Sequence, residues 1–213
     1  MEKLPFDITN IGADDVQALE DSYKALRSKF RVGIVDDYAF DLTKFDVFSN
    51  YNDISVGGNL LINHPESGCY LLFVKVLTNL SNAHAQSFFY YKYQVWALAT
   101  LRSDFGRMII RRETMADKIL NLVHPTEMHF KDDLAFNRKF NVVADDREKA
   151  ASAMTKAFRN ALMNIKTDDF VIEIVNSTLV IGNIQYELGN VQPIDPKQTI
   201  YLAEIANKLS TVK

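Results

Sequence analysis

A chain of 213 residues with 47% hydrophobic and 24% charged residues can bury about 70% of its unfolded surface, leaving about 10,000 Å² accessible of about 35,000 Å². That balance is ordinary for a globular chain and excludes intrinsic disorder, a collagen-like rod and a coiled-coil rod. The 24 Lys and Arg against 27 Asp and Glu leave a net charge of −3, which gives no global electrostatic footprint for nucleic acid or anionic lipid.

The first element is announced by Asp14 with Gln17 three residues on, an Asp form of the capping box, ahead of Val16, Leu19, Tyr23, Leu26 and Phe30. Steps of three and four make one apolar stripe, and acids toward the amino end with bases toward the carboxyl end complement the helix dipole. A helix over 14–30 follows. From Val32 to Glu113 the pattern turns to period two or to short apolar runs separated by Asn, Gly, Ser and Pro, which predicts strands at 32–36, 53–62, 69–78, 88–101 and 107–113. Gly57-Gly58 marks a turn or bulge in the second of these. Fourteen residues at 88–101 exceed a common strand length, so a bend or bulge is expected there.

A short helix is expected over 114–122, stopped by Pro125, then a brief strand at 126–130 and another at 137–144. Asp145 with Glu148 caps a helix whose stripe runs Ala150, Met154, Ala157, Phe158, Ala161, Leu162 and Ile165. The turns Asn176-Ser177 and Gly182-Asn183 sit between apolar runs and imply a three-stranded meander from 170 to 188. Asp195 and Pro196 open a last helix with Leu202, Ile205, Ala206 and Leu209 inward. The chain has no internal repeat. The expected fold is α+β: a mainly antiparallel sheet with flanking helices and a C-terminal strand, helix and meander lobe. It forms either one compact unit or two lobes, at 1–125 and 126–213.

A single cysteine, Cys69, cannot form an intrachain disulfide, and there is no cationic start followed by an apolar stretch. The longest apolar runs, 70–80 and 88–101, are interrupted by Lys75 and by Lys92 and Gln94, and fall short of a transmembrane helix. A soluble, cytoplasmic protein is expected.

Metal or hydrolytic chemistry has to draw on His64, Cys69, His124, Glu127 and His129. The order His-x-x-Glu-x-His lacks the i, i+4 pair that puts two imidazoles on one helix face, and only Glu127 and His129 share a face of a strand. Cys69 begins an apolar strand with no helix N-terminus to activate its thiol. Phosphate and dinucleotide motifs are absent, so no cofactor is expected. The acid pairs Asp36-Asp37, Asp132-Asp133, Asp145-Asp146 and Asp168-Asp169 fall at element boundaries, where capping and turns account for them. A basic and aromatic stretch stands out: Tyr90, Tyr91, Lys92, Tyr93 and Trp96, then Arg102, Arg107, Arg111, Arg112 and Lys118. Rings beside guanidinium groups suit a single nucleic-acid strand, an acidic partner or lipid headgroups. Alternation makes Arg107 and Arg111 co-facial and turns Arg112 away.

The run Met108-Ile109-Ile110-Arg111-Arg112-Glu113, then Asp117-Lys118-Ile119-Leu120, then 136–146 with its Phe-x-x-x-Phe-x-Val pattern, and the helix from Arg147 with the strand pair around Asn176 carry a resemblance. Over residues 105–182 the chain resembles an uncharacterised bacterial family whose members often bear this domain behind amino-terminal membrane segments. The resemblance implies no activity and supplies no catalytic residue, and this chain departs from it in lacking membrane segments.

The expected function is a non-enzymatic binding or scaffold module for an unknown protein or acidic ligand, with Tyr91, Lys92, Tyr93, Trp96, Arg107 and Arg111 as the candidate partner-binding residues and a homo-oligomer compatible with the pattern. The alternatives are a hydrolytic or metal-dependent enzyme built on the His/Glu/Cys set, and a binder of acidic partners, single strands or membranes through the basic face.

Overall fold

The structure is a computed structural model that describes residues 4–35, 41–49, 51, 53–63, 68–81, 87–112, 127–167, 169–183 and 194–212. In chain order these form α1 (Ala13–Lys29), β1 (Arg31–Ile34), two 3-10 turns (Leu42–Lys44 and Asp46–Phe48), β2 (Ile54–Asn63), β3 (Gly68–Ser81), β4 (Ser87–Thr100) and β5 (Arg107–Arg112). There follow α2 (Leu134–Asn137), β6 (Phe140–Ala144), α3 (Arg147–Ala153), α4 (Lys156–Met163), β7 (Val171–Val175), β8 (Thr178–Gly182) and α5 (Pro196–Thr211). The fold is α+β. All eight strands join one antiparallel sheet in the order β1-β2-β3-β4-β8-β7-β5-β6. The β7–β8 hairpin inserts between β4 and β5, so strands from both halves of the sequence share one ladder.

Strand alternation gives the sheet two apolar faces, and each is covered differently. On one face Leu60, Leu71, Phe73, Ala97, Met108, Ile172 and Ile181 meet Leu19 and Leu26 of α1, Phe158 and Leu162 of α4, and Leu202 and Leu209 of α5. On the other, Leu72, Val74, Trp96, Leu98, Val171 and Val180 lie beneath Leu42, Phe45 and Phe48, a strap of chain carrying the two 3-10 turns. The alanines of α5 let it sit close to the strands: Ala203 and Ala206 are fully buried.

Several local expectations are corrected. Asp14 is inside α1, whose N-cap is Gly12 with no side-chain bond, and the Gln17 amide reaches Asp21 instead (3.0 Å). The helix expected after Asp145 is two helices, because Thr155 starts a new one by accepting the Phe158 N–H on Oγ1 (3.2 Å) while Met154 adopts ψ 56°. Its cap is Asp146, which accepts from the Lys149 N–H, and not Asp145. Residues 134–137 are helical, capped by Asp133, so the strand expected from 137 begins at Phe140. The strand expected at 126–130 is reduced to a bridge between Glu127 and Val143. No register shift interrupts β3 and β4 from Cys69↔Ala99 to Ser81↔Ser87; the irregularity lies in β2, between Val56 and Gly58. There the N-terminal segment and Tyr93 press on the backbone, and a Cβ at Gly57 or Gly58 would collide with the Tyr93 hydroxyl or the Phe6 ring.

The Asn176-Ser177 turn is present with Asn176 at φ 58°, and Asp195 caps α5 as expected, accepting from the Lys197 N–H (3.0 Å). The helix expected at 114–122 and the third meander strand at 184–188 lie outside the described residues. Among the described residues no helix is long and apolar enough to cross a membrane.

Candidate functional site

The aromatic and basic residues of β4 divide between the two faces, because successive positions on a strand point opposite ways. Tyr91 and Tyr93 pair with Leu77 and Lys75 on the helix face, whereas Lys92 and Trp96 pair with Val76 and Leu72 on the strap face. Tyr93 is buried and donates its hydroxyl to the Asp7 carbonyl (2.6 Å), and burial pushes its pKa up. Lys75, which sequence reasoning treated only as an interruption, is buried beside it. Its ammonium donates to Asp7 Oδ2 (2.8 Å) and to the Thr9 carbonyl (2.7 Å) and lies 4.7 Å from the Tyr91 ring centroid. The Lys75 bond, with those from Thr9, lowers the Asp7 carboxyl to about 2. Tyr91 is half-buried and donates to Asp53 Oδ2 (2.7 Å). These contacts fasten residues 5–9 across the β2 bulge.

Trp96 is also buried. Phe48 covers it at 4.8 Å between centroids, its Nε1 donates to Gln94 Oε1 (3.2 Å), and Gln94 Nε2 donates to the Tyr51 hydroxyl (2.8 Å). Tyr93 and Trp96 therefore present no ring to the surface, and the six candidate residues form no single patch.

Arg107 and Arg111 do share the strap face, at opposite ends of the span facing Glu173. Glu173 is fully buried, and its carboxylate accepts the backbone N–H groups of Asp46 and Val47 (2.9 Å each) and Arg107 Nη1 (2.9 Å). Burial raises its pKa against the pull of those donors. Arg107 also pairs with Asp46 Oδ2 (3.0 Å) and donates Nη2 to the Lys44 carbonyl (2.8 Å), so its guanidinium latches the strap. Arg112 points to the helix face, as alternation required, over the rings of Phe140 and Phe170 with Nη2 donating to the Ile165 carbonyl (2.7 Å). The latch was legible only as an oddity, one acid inside the apolar run Val171-Ile172-Glu173-Ile174-Val175.

The proposed chemical cluster is not gathered. Cys69 is fully buried on β3, where burial pushes its thiol up to about 12. Glu127 bridges the far side of β6, six strand spacings from Cys69 or about 29 Å along the sheet. Buried Glu127 and exposed His129 approach to 4.0 Å. His64 and His124 lie outside the described residues. Among the described residues no group of three or more His, Cys, Asp or Glu could hold a metal ion. Asp132 and Asp133 do more than cap and turn: both bind buried Arg159, Asp132 through Nη2 (2.5 Å) and Asp133 through Nε (3.1 Å).

What remains as a candidate site is the far part of the β3–β4 hairpin. Pairing of β3 with β2 ends at Ile54↔Val76, and pairing of β4 with β8 ends at Trp96↔Gly182, yet β3 and β4 stay paired out to Ser81↔Ser87. The backbone thus continues for five residues per strand, about 17 Å, beyond its neighbours in the ladder. From Val76 to Tyr91 the sequence holds no Asp, Glu, Lys or Arg and four consecutive aromatics at 88–91. At the chain average of 24% charged residues, about four charges belong in such a stretch.

No family model and no curated protein matches this chain. Among solved structures it is similar to the mycobacterial trehalose monomycolate transport factor A. The likeness has a TM-score of 0.45 and 8% identity, and covers 89% of this chain and 92% of that one.

Proposed function

We propose that the chain is a non-enzymatic binding or scaffold module of the cytoplasm, acting as one unit, with the extended β3–β4 ribbon as its recognition element. The observation that carries this reading is the pairing of β3 and β4 past both neighbouring strands through a run without charge. A strand pair whose sequence is uncharged and rich in aromatics offers a partner apolar area and a few ring anchors. Tyr91 and Lys92 stand at the base of this ribbon and are the members of the candidate set that such a partner would meet. Tyr93, Trp96 and Arg107 instead hold the scaffold beneath it.

The test is capture of partners from native cytoplasm on three immobilised proteins: wild type, the double variant Phe88→Ser/Phe89→Ser, and the control Lys131→Ala at an exposed site. Proteins retained by wild type and control but lost from the ribbon variant are expected. They should remain bound as salt rises, because the ribbon carries no charge to screen. The same set retained on all three proteins, or capture that collapses with salt, would overturn the proposal and favour an acidic partner on a basic face.

A further inference from the structure

The outer edge of the sheet at β1 is where the described residues leave an unfinished surface. Among the described residues β1 stands first in the strand order and pairs only with β2, and Ile34 at its end is 50% exposed, one of the few large apolar side chains left in solvent there. Val32 and Ile34 pair with Ile62 and Leu60, both fully buried on the helix face, so the apolar side of β1 continues that core to the edge. Above it lies α1, joined to β1 through Phe30. Helix α5 packs over β3, β4 and β8, and α1 packs against α5 and β1, so among the described residues α1 is the outermost helix at this edge.

The exposed surface of α1 is charged in a particular order. Asp14, Asp15, Glu20 and Asp21 occupy its amino-terminal half, and Lys24, Arg27 and Lys29 its carboxyl-terminal half. Lys29 faces α5, where it pairs with Glu204 (2.5 Å). At about 100° per residue, Glu20 lies half a turn from Lys29, with Lys24 and Arg27 close to the same direction. Glu20, Lys24 and Arg27 are therefore on the flank turned away from α5, outward over the β1 edge. There Glu20 and Lys24 pair within the helix (3.1 Å) and Arg27 lies over the Tyr23 ring, contacts that a second copy would extend into an intermolecular network. A helix with acid in one half and base in the other is complementary to its own antiparallel copy, and a parallel copy sets like charges together.

We propose that a second copy of this chain closes the edge about a two-fold axis at Gly33, with β1 pairing antiparallel to β1 and α1 lying antiparallel to α1. In this register Val32 of each copy stands opposite Ile34 of the other, covering the exposed isoleucines, and Glu20 of each lies near Lys24 and Arg27 of the other. The axis keeps both helix layers on one side, so two eight-stranded sheets become one. Such an interface is self-complementary, as a two-fold contact must be. It consists of a 17-residue helix, about 25 Å long, and a four-residue strand, about 13 Å long. A contact of those dimensions sits at the small end of specific interfaces, where a dimer that dissociates at about micromolar concentration is expected.

Sedimentation velocity of the full chain from about 1 to 200 μM tests this independently of the ribbon. A concentration-dependent dimer is expected, weakened about tenfold by Glu20→Lys, which sets like charges across the axis. The triple variant Glu20→Lys/Lys24→Glu/Arg27→Glu inverts every sign, keeps complementarity, and should recover dimerisation to within about threefold. Circular dichroism checks that each variant is folded. A Cβ at Gly33 has room, its nearest neighbour being Leu61 Cβ at 3.7 Å, so Gly33→Cys supplies a second measurement. Mild oxidation should link two copies, because residues at a two-fold strand axis bring their Cα atoms within disulfide range. A monomer at every concentration overturns the proposal, as does a dimer that is indifferent to Glu20→Lys and unlinked by Gly33→Cys.

Discussion

Replacing Glu173 with alanine should loosen the strap from the sheet. The carboxylate holds the Asp46 and Val47 N–H groups and Arg107 from a position with no exposure of its own. Each orphaned backbone donor costs about 1 kcal/mol, since the strap can rehydrate when it lifts. Arg107 is 32% exposed and keeps Asp46, so its loss adds under about 1 kcal/mol. Against these stands the relief of burying a carboxylate, the cause of its raised pKa. The net loss is about 2 kcal/mol, which in a chain of this size lowers Tm by about 4–8 °C. The assay can be local as well as global, because Trp96 is the chain's single tryptophan and lies under Phe48 of the strap. In Glu173→Ala its emission should shift to the red at denaturant concentrations below the loss of far-ultraviolet circular dichroism, whereas in wild type the two should coincide. An unchanged or higher Tm with coincident transitions would refute the latch.

Asp7 titrates at about 2, below its ordinary 3.8, so the stability it contributes is present above that ordinary value and is lost as pH falls from 3.8 toward 2. Its side chain is 48% exposed, which limits the effect to about 1 kcal/mol. Acid unfolding of Asp7→Asn followed by circular dichroism should show a flatter loss across that window than wild type. Gly182→Ala places a methyl 2.5 Å from Trp96 Cδ2 and should cost about 1–3 kcal/mol in urea unfolding. Cys69, with its thiol pushed up to about 12 and its side chain fully buried, should stay unmodified by a thiol reagent at pH 8 until denaturant unfolds the chain; rapid labelling of folded protein would contradict its placement.

The amino-acid sequence by itself determined the elements that rest on local periodicity. The stripe of Leu19, Tyr23 and Leu26, the alternation along 88–101, the Asn176-Ser177 turn and the Asp195-Pro196 start all place structure within a residue or two of where it stands, because each depends on neighbours within one turn of helix or one pleat of strand. Alternation likewise assigned Arg107 and Arg111 to one face and Arg112 to the other. Tertiary structure decided what those faces meet. No periodicity in β4 or β5 says that β7 and β8 will come between them, since strand order follows from long-range pairing and not from propensity. The same contacts turned Trp96 and Tyr93 inward, bound Arg107 to a glutamate 66 residues away, and set Cys69 six strand spacings from Glu127. A side chain's availability is settled by what covers it, and here the covers are the strap and the N-terminal segment, held by Glu173 and Lys75, two charged residues that the local pattern marks only as breaks in apolar strands.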